Sequence, residues 1–411
     1  MAHNKIGKFA WGKAALRVLF IAYRDFENPE AVGGDLYLWE LARGLSRLGH
    51  FVTFVCRSYA GAKSFENRDG VEIVRVQGYL SLPVRMFKSY FQRSKGRFDV
   101  VVEEVIGGQR FPFLCGLYVE EPLVAVWHQR NDRVFREQYP LFMALPLSIL
   151  ESVLARLYRR KTILTPSEGA KEQLTFIGLR DENVKVVHDG VGEGFLNLGM
   201  GGEKENVVVC LGKLRRYKRI DHAVLAHKKV LERVGRPVRL VIAGKLSEID
   251  RGHVDWLRGL AERLGIAGQV EFRVNISETE KVELLQEAKV LVQPSPVEGF
   301  SIVVAEANRC GTPVVVSDGV PFDVVRDGVN GLVYPYGDIE AFAAGISKLL
   351  SDEEVWSEMS KNAYEWSKQF TWKTSAAKLE GILENLIEKK HSQSEGGNTG
   401  EMIFLRGEAT I

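Results

Sequence analysis

Two carboxylates, Glu298 and Glu306, stand eight positions apart, and the run Gly299-Phe300-Ser301-Ile302 follows the first of them. Ahead of the pair, the apolar segment Lys289 to Pro294 reads as a buried strand. Behind it, Ala307 to Pro313 reads as a helix end stopped by Gly311 and Pro313. The unit is strand, tight loop, helix. At the mouth of such a helix the amides of Gly299, Phe300, Ser301 and Ile302 lack intrahelical acceptors and attract an anion such as phosphate. Glu298 falls in the loop and Glu306 about two turns into the helix, at different depths of one crevice. Carboxylates accept hydrogen bonds from hydroxyls, so the arrangement suits a ligand with a phosphate in its middle and hydroxyl-bearing groups at both ends.

A second cluster points toward an anion. Lys213 to Arg219 holds five cations in seven positions, with Lys213 closing the apolar strand Asn206 to Gly212 and Lys218 opening a helix. Runs of this kind are usually solvated surface, yet cations at a helix N-terminus oppose its macrodipole, which a bound anion would explain. His128 stands just past the strand Leu123 to Trp127, where ligands of open α/β sheets bind. Gly33-Gly34 would let the backbone approach a ligand at the mouth of the first helix. No G-x-x-x-x-G-K-[ST] sequence and no G-x-G-x-x-G after the first strand occur, which argues against a P-loop kinase and a typical dehydrogenase.

The elements that must position these groups repeat in two series. Leu16 to Tyr23, the helix Asp35 to Leu48 and Phe51 to Cys56 form a first strand-helix-strand unit. Val71 to Val76, Phe98 to Glu103, Leu123 to Trp127, Thr162 to Ser167 and Val184 to Val191 continue it. The glycine-rich stretch Gly190 to Gly202 breaks all periodicity and reads as an interdomain linker. Strands then restart at Asn206, Val238, Gln269, Lys289, Pro313 and Gly331, followed by helical patterns over Ile339 to Leu350, Asp352 to Trp366 and Thr371 to Lys390. The pattern predicts an α/β fold with two parallel-sheet domains, 1–190 and 203–365, a C-terminal helix over 366–390 and a tail over 391–411. With 411 residues and 45% apolar content the chain can bury two cores.

A net charge of +2 is too small to argue for a nucleic-acid partner. Cys56, Cys115, Cys210 and Cys310 form no C-x-x-C pair, which fits reduced core thiols in a cytosolic protein. Met1 to Lys8 lacks the apolar core of a signal peptide, and Leu141 to Leu150, interrupted by Pro146, reads as too short to span a bilayer. Val84 to Arg97 mixes Arg85, Lys88, Arg93, Lys95 and Arg97 with Met86, Phe87, Tyr90 and Phe91, a composition suited to an anionic membrane surface or to a solvated helix. Leu141 to Lys161 is a second such segment, and a buried helix between strands would read the same.

The Glu298 to Glu306 unit resembles the Glu-x7-Glu motif of retaining glycosyltransferases of family 4, whose GT-B fold places two Rossmann-like domains face to face across a cleft, with a C-terminal helix crossing back to the first. The commoner family form has Gly at Ser301 and Pro at Val303, Arg at Lys213 and Asn at Asp189. The resemblance implies a hexosyltransferase whose donor is a nucleoside-diphosphate sugar. Glu298 and His128 would meet the donor sugar, Glu306 the ribose and Ile276 the base. Lys213, Lys218 and the amides of Gly299, Phe300, Ser301 and Ile302 would take the diphosphate, with Gly33 and Gly34 facing it. Gln129 to Arg133 would line the acceptor. It also implies no metal and no cofactor, and the sequence offers no D-x-D motif. A lipid-linked or glycan acceptor at the inner face of a membrane is expected. A soluble acceptor, or a catalytically idle binder of sugar nucleotides or glycans, stays open.

Overall fold

The structure, a computed structural model, describes residues 14–78, 82–105, 112–200, 202 and 204–401, the side chains of Arg93 and of residues 393–401 excepted. In chain order the first half contains β1 (Arg17–Ile21), α1 (Gly33–Arg47), β2 (Phe51–Arg57), β3 (Phe65–Arg68), β4 (Val71–Val76), α2 (Leu82–Ser89), β5 (Val100–Glu104), β6 (Leu123–Val126), α3 (Asp132–Gln138), α4 (Leu141–Tyr158), β7 (Thr162–Thr165), α5 (Glu168–Phe176), β8 (Val184–Val186) and α6 (Glu193–Leu196). The second half contains β9 (Glu205–Leu211), α7 (Ile220–Val234), β10 (Arg239–Gly244), α8 (Arg251–Arg263), β11 (Val270–Val274), α9 (Glu278–Glu287), β12 (Ala288–Gln293), α10 (Ile302–Arg309), β13 (Val314–Ser317), β14 (Gly331–Tyr334), α11 (Ile339–Ser351), α12 (Glu353–Ser367) and α13 (Trp372–Glu401).

The strands form two sheets, ordered β3-β4-β2-β1-β5-β6-β7-β8 and β11-β10-β9-β12-β13-β14. Every pairing is parallel except that of β3 with β4. Parallel strands are covered on both faces, so their side chains alternate between two apolar layers. Val18, Phe20 and Ala22 enter one layer of the first domain, and Leu19, Ile21 and Tyr23 the other. In the second domain Val208 and Cys210 divide from Val207, Val209 and Leu211 in the same way. In each sheet the chain first winds to one side and then jumps to the other, leaving a reversal between β1 and β5 and between β9 and β12. Crevices at such reversals, beyond the carboxyl ends of the strands, are where open α/β sheets bind ligands.

The chain leaves the first domain at Val187 to Val191 and returns beside that point. The Val191 amide donates to the Phe370 carbonyl (3.1 Å), and a Cβ on Gly190 would lie 2.3 Å from the Trp372 nitrogen. Trp372, Leu379 and Leu383 of α13 are then buried in the first domain's core. A Cβ on Gly44 would come within 2.4 Å of the Ala376 Cβ, which shows how closely α1 and α13 approach.

Four sequence expectations need correction. The stretch Gly190 to Gly202 is not free linker: it contains α6, and Phe195 is buried in the second domain's core. Helix α13 runs to Glu401, into the stretch expected as a tail from His391, because extending an anchored helix adds one hydrogen bond per residue and needs no new nucleus. Pro146 does not break the helix around it: α4 runs for 18 residues. The carbonyl that Pro146 frees belongs to the exposed Phe142, where water can satisfy it. By length and composition α4 is therefore long and apolar enough to cross a membrane, contrary to the expectation for its first ten residues. The edge strand β3 carries no apolar alternation and was missed. Met1 to Lys8, Gly201 and Met402 to Leu405 lie outside the described residues.

Candidate active site

A cavity of about 390 Å³ lies between the domains at both sheet reversals. The first domain contributes Arg24 after β1, Gly33 and Gly34 at the mouth of α1, Glu104 and Val105 from β5, and His128 after β6. The second contributes Gly212 and Lys213 after β9, Lys218, and Glu298 to Val303 after β12.

Glu298 is fixed from three sides. Its amide donates to the Gly319 carbonyl (2.9 Å), while one carboxylate oxygen accepts from Lys218 Nζ (2.6 Å) and from Gln293 Nε2 (2.7 Å). Burial alone would lower the Lys218 pKa, but the Glu298 carboxylate outweighs it and holds the ammonium above the usual lysine range. Helix α10 opens after Ser301, whose φ of 78° is left-handed. That conformation favours glycine, which accounts for the commoner Gly at this position.

Glu306 lies a little over one turn into α10, not two, and does not line the cavity. It is 2% exposed and accepts from Lys281 Nζ (2.8 Å), while its second oxygen is buried with no partner among the described residues. Burial raises its pKa, against the pull of Lys281. Ile276 also stands behind the cavity wall, against the core cluster that holds Phe300 and Val304. Neither residue belongs to the cavity lining, and Glu306 is tied instead to α9 through Lys281.

His128 packs edge-on to Tyr37, 5.5 Å between ring centroids. Among the described residues its Nε2 has no hydrogen-bond partner, and it stands 4.0 Å from Glu104 Oε1. Burial lowers its pKa to about 4, so the imidazole is neutral near pH 7. Gly34 and Gly299 make room for it: a Cβ on Gly34 would lie 2.8 Å from His128 Nε2, and one on Gly299 would lie 2.5 Å from the His128 carbonyl oxygen. Three residues on, Asn131 donates its amide (3.0 Å) and its Nδ2 (2.8 Å) to Glu151 of α4, which burial pushes up to about 7.

Polar bridges cross the cleft around this core. Lys213 Nζ donates to the Glu30 carbonyl (2.9 Å), Tyr336 Oη donates to Glu137 (2.9 Å), and His188 meets Asp323 (2.9 Å). Burial, then repulsion from Arg215 and Arg24, lowers the Lys213 pKa to about 7.

Two sequence profiles divide the chain between them. The profile for Glycosyltransferase Family 4 matches residues 32–193, and that for Glycosyl transferases group 1 matches residues 201–366. The chain belongs to the family 4 glycosyltransferases. An uncharacterized glycosyltransferase of Methanocaldococcus jannaschii is 26% identical over 90% of this chain and 98% of its own length. A D-inositol 3-phosphate glycosyltransferase of Kribbella flavida is 29% identical over 84% of this chain and 89% of its own. Among solved structures, sucrose-phosphate synthase of Thermosynechococcus elongatus aligns with a TM-score of 0.75 at 19% identity, covering 91% of this chain and all of that one (100%). Anabaena HepE in complex with UDP-glucose gives 0.71 at 17% identity, covering 90% and 100%. The fold of this family 4 glycosyltransferase is therefore GT-B.

Sequence reading missed Gln293, Lys281, Arg24 and Glu104, whose contacts follow no spacing pattern in the sequence. It named Asp189 only as a departure from the family's Asn. In this glycosyltransferase Asp189 is buried in the cavity wall, and burial raises its carboxyl well above the usual range. A protonated carboxyl both donates and accepts, as an amide does. Above the unfolded carboxylate pKa the folded state keeps a proton that the unfolded state has released, so stability falls as pH rises. Asp189→Asn is expected to raise the urea midpoint at pH 7 and to change it little at pH 4. An unchanged midpoint at both pH values would contradict a neutral Asp189.

Proposed function

We propose that this enzyme transfers a hexose from a nucleoside-diphosphate sugar to a lipid-linked or glycan acceptor, with retention of anomeric configuration and without a metal ion. The observation that carries the reading is the convergence of Lys213, Lys218 and the mouth of α10 on one cavity framed by Glu298. The departing diphosphate gains negative charge, which preorganised ammonium groups and amides stabilise. Glu298 holds donor-sugar hydroxyls, the free Glu306 oxygen accepts from the ribose, and the acceptor attacks from the face the leaving group vacates, giving its proton to a phosphate oxygen. HepE, whose solved complex contains UDP-glucose, supports a sugar nucleotide as donor. The compartment that fits is the cytoplasm, at the inner face of a membrane. A second reading, a soluble phosphorylated acceptor, draws on the names of the D-inositol 3-phosphate glycosyltransferase and the sucrose-phosphate synthase.

The test is incubation with a panel of sugar nucleotides, scoring nucleoside-diphosphate release and the anomeric configuration of the product, with and without EDTA. An inverted product removes retention. Loss of transfer in EDTA, restored by Mg²⁺, removes metal independence. No release from any donor leaves a binding protein. Glu306→Gln is expected to raise the donor KM about tenfold with little change in kcat, since ribose contacts are made equally before and during reaction; a fall confined to kcat would refute its assignment.

Lys213 gives the reading a pH signature. An anion raises the pKa of the lysine it binds, so affinity is full below the free value near 7 and declines as pH rises toward the bound value. UDP should bind progressively more weakly by calorimetry from pH 7 to 9, by up to about tenfold per unit. Lys213→Arg, charged throughout, should flatten the profile. A pH-independent Kd in the unaltered protein would exclude Lys213 from the diphosphate site.

A further inference from the structure

We infer that α4 lies flat on an anionic lipid bilayer and is the main surface by which the enzyme meets the membrane. This deepens the lipid-linked reading of the acceptor and rests on it, moving the docking surface from the expected segment Val84 to Arg97 to a different helix. Leu141, Phe142, Leu145, Ile149, Val153 and Leu157 of α4 are exposed, Leu141 and Phe142 by 71% and 76%. Monomeric proteins seldom leave so many large apolar side chains on one helix face without something to cover them. The opposite face is committed to the domain. Ala144, Leu154 and Ala155 are buried, Tyr158 donates to Glu103 (2.8 Å), and Glu151 holds Asn131. A helix bound inward by two carboxylate contacts cannot leave the domain to cross a bilayer, so it rests on one.

The charges select the occupant. Arg156, Arg159 and Arg160 are exposed at the C-terminal end of the apolar face, with Lys161 beside them, and the only acid from Leu141 to Lys161 is the buried Glu151. A cationic edge with no exposed carboxylate complements anionic headgroups and gives a second copy of the chain nothing to pair with. The same domain carries a second exposed patch that mixes apolar and basic residues. The ring of Tyr118 packs on Phe87 at 4.9 Å, and Phe87, itself exposed, belongs to α2 with Arg85 and Lys88. A helix with its side chains is about 10–12 Å across. The bilayer surface would therefore lie about one helix diameter from the Asn131 loop that Glu151 holds at the cavity, close enough for a lipid-borne acceptor to reach it.

The experiment is flotation of the full chain with vesicles of phosphatidylcholine alone or mixed with phosphatidylglycerol, without substrate. It compares the unaltered protein with Phe142→Asp/Ile149→Asp/Val153→Asp and with Arg156→Glu/Arg159→Glu/Arg160→Glu. All six side chains are exposed, so circular dichroism and UDP binding should be unchanged. The unaltered protein should float with the mixed vesicles only, and each variant should bind at least tenfold less. Equal flotation of all three proteins, or none of any, overturns the inference. So does an unaltered protein that is a dimer, does not float and becomes monomeric in the aspartate variant, since α4 would then cover itself. Because no substrate is present, docking without nucleoside-diphosphate release would overturn the transferase reading alone, and release without docking would overturn this one alone.

Discussion

Lys218→Ala is expected to lower kcat/KM by about 10²- to 10³-fold, the range found when one preorganised donor to a developing charge is removed. Two losses combine. The proposed diphosphate site loses a cation, and Glu298 loses the partner at 2.6 Å that keeps its carboxylate aimed. Gln293, at 2.7 Å on the same oxygen, remains and holds the carboxylate near its place, so the fold should survive. Glu298→Gln separates the two losses. It keeps the shape and Lys218 but removes the negative charge, and its effect should fall mainly on kcat. Steady-state kinetics with the preferred donor decides the matter. A Lys218→Ala enzyme within threefold of the unaltered one, or equal and purely KM effects in the two variants, would remove Lys218 and Glu298 from the reaction.

Gly299→Ala is the second large expected effect, about 10²-fold in kcat/KM, and its cause is steric. The added methyl would sit 2.5 Å from the His128 carbonyl oxygen and 3.4 Å from Pro166 Cγ, so the loop and the strand end must part. The amides of Phe300, Ser301 and Ile302 move with that loop, and a misplacement of about 1 Å is enough for a loss of this size. Gly33→Ala is the control: its Cβ meets only Ile302 Cδ1 at an ordinary 3.6 Å, and its expected loss is less than tenfold. Comparable losses in both would show that flexibility of the glycine loops, and not the fit against His128, is what matters.

The strands were legible because parallel sheets bury both faces of each strand, so Val207 to Leu211 and Val290 to Val292 read as uninterrupted apolar runs. The anion site was legible for a related reason: Glu298 to Ile302 and Lys213 to Lys218 follow two strands that are neighbours at a reversal in the sheet. What could not be read were the second partners. Gln293 points at Glu298, Lys281 at Glu306 and Glu151 at Asn131 only after folding. Helix α4 defeated sequence reading differently. An apolar stripe gives the same periodicity whether it faces a core or the outside, and only the buried Glu151 and Tyr158 on its opposite side reveal which way it is turned.

The side-by-side passage of the chain at Val191 and Phe370 determines how the substrates can be handled. Phe370 packs in the second domain's core and Trp372 in the first's, and the bridges named across the cleft, at Glu30, Glu137 and Asp323, are polar contacts that water can replace. If the product nucleotide leaves by an opening of the domains about this passage, turnover should slow in proportion to the viscosity of added glycerol wherever release outlasts bond-making.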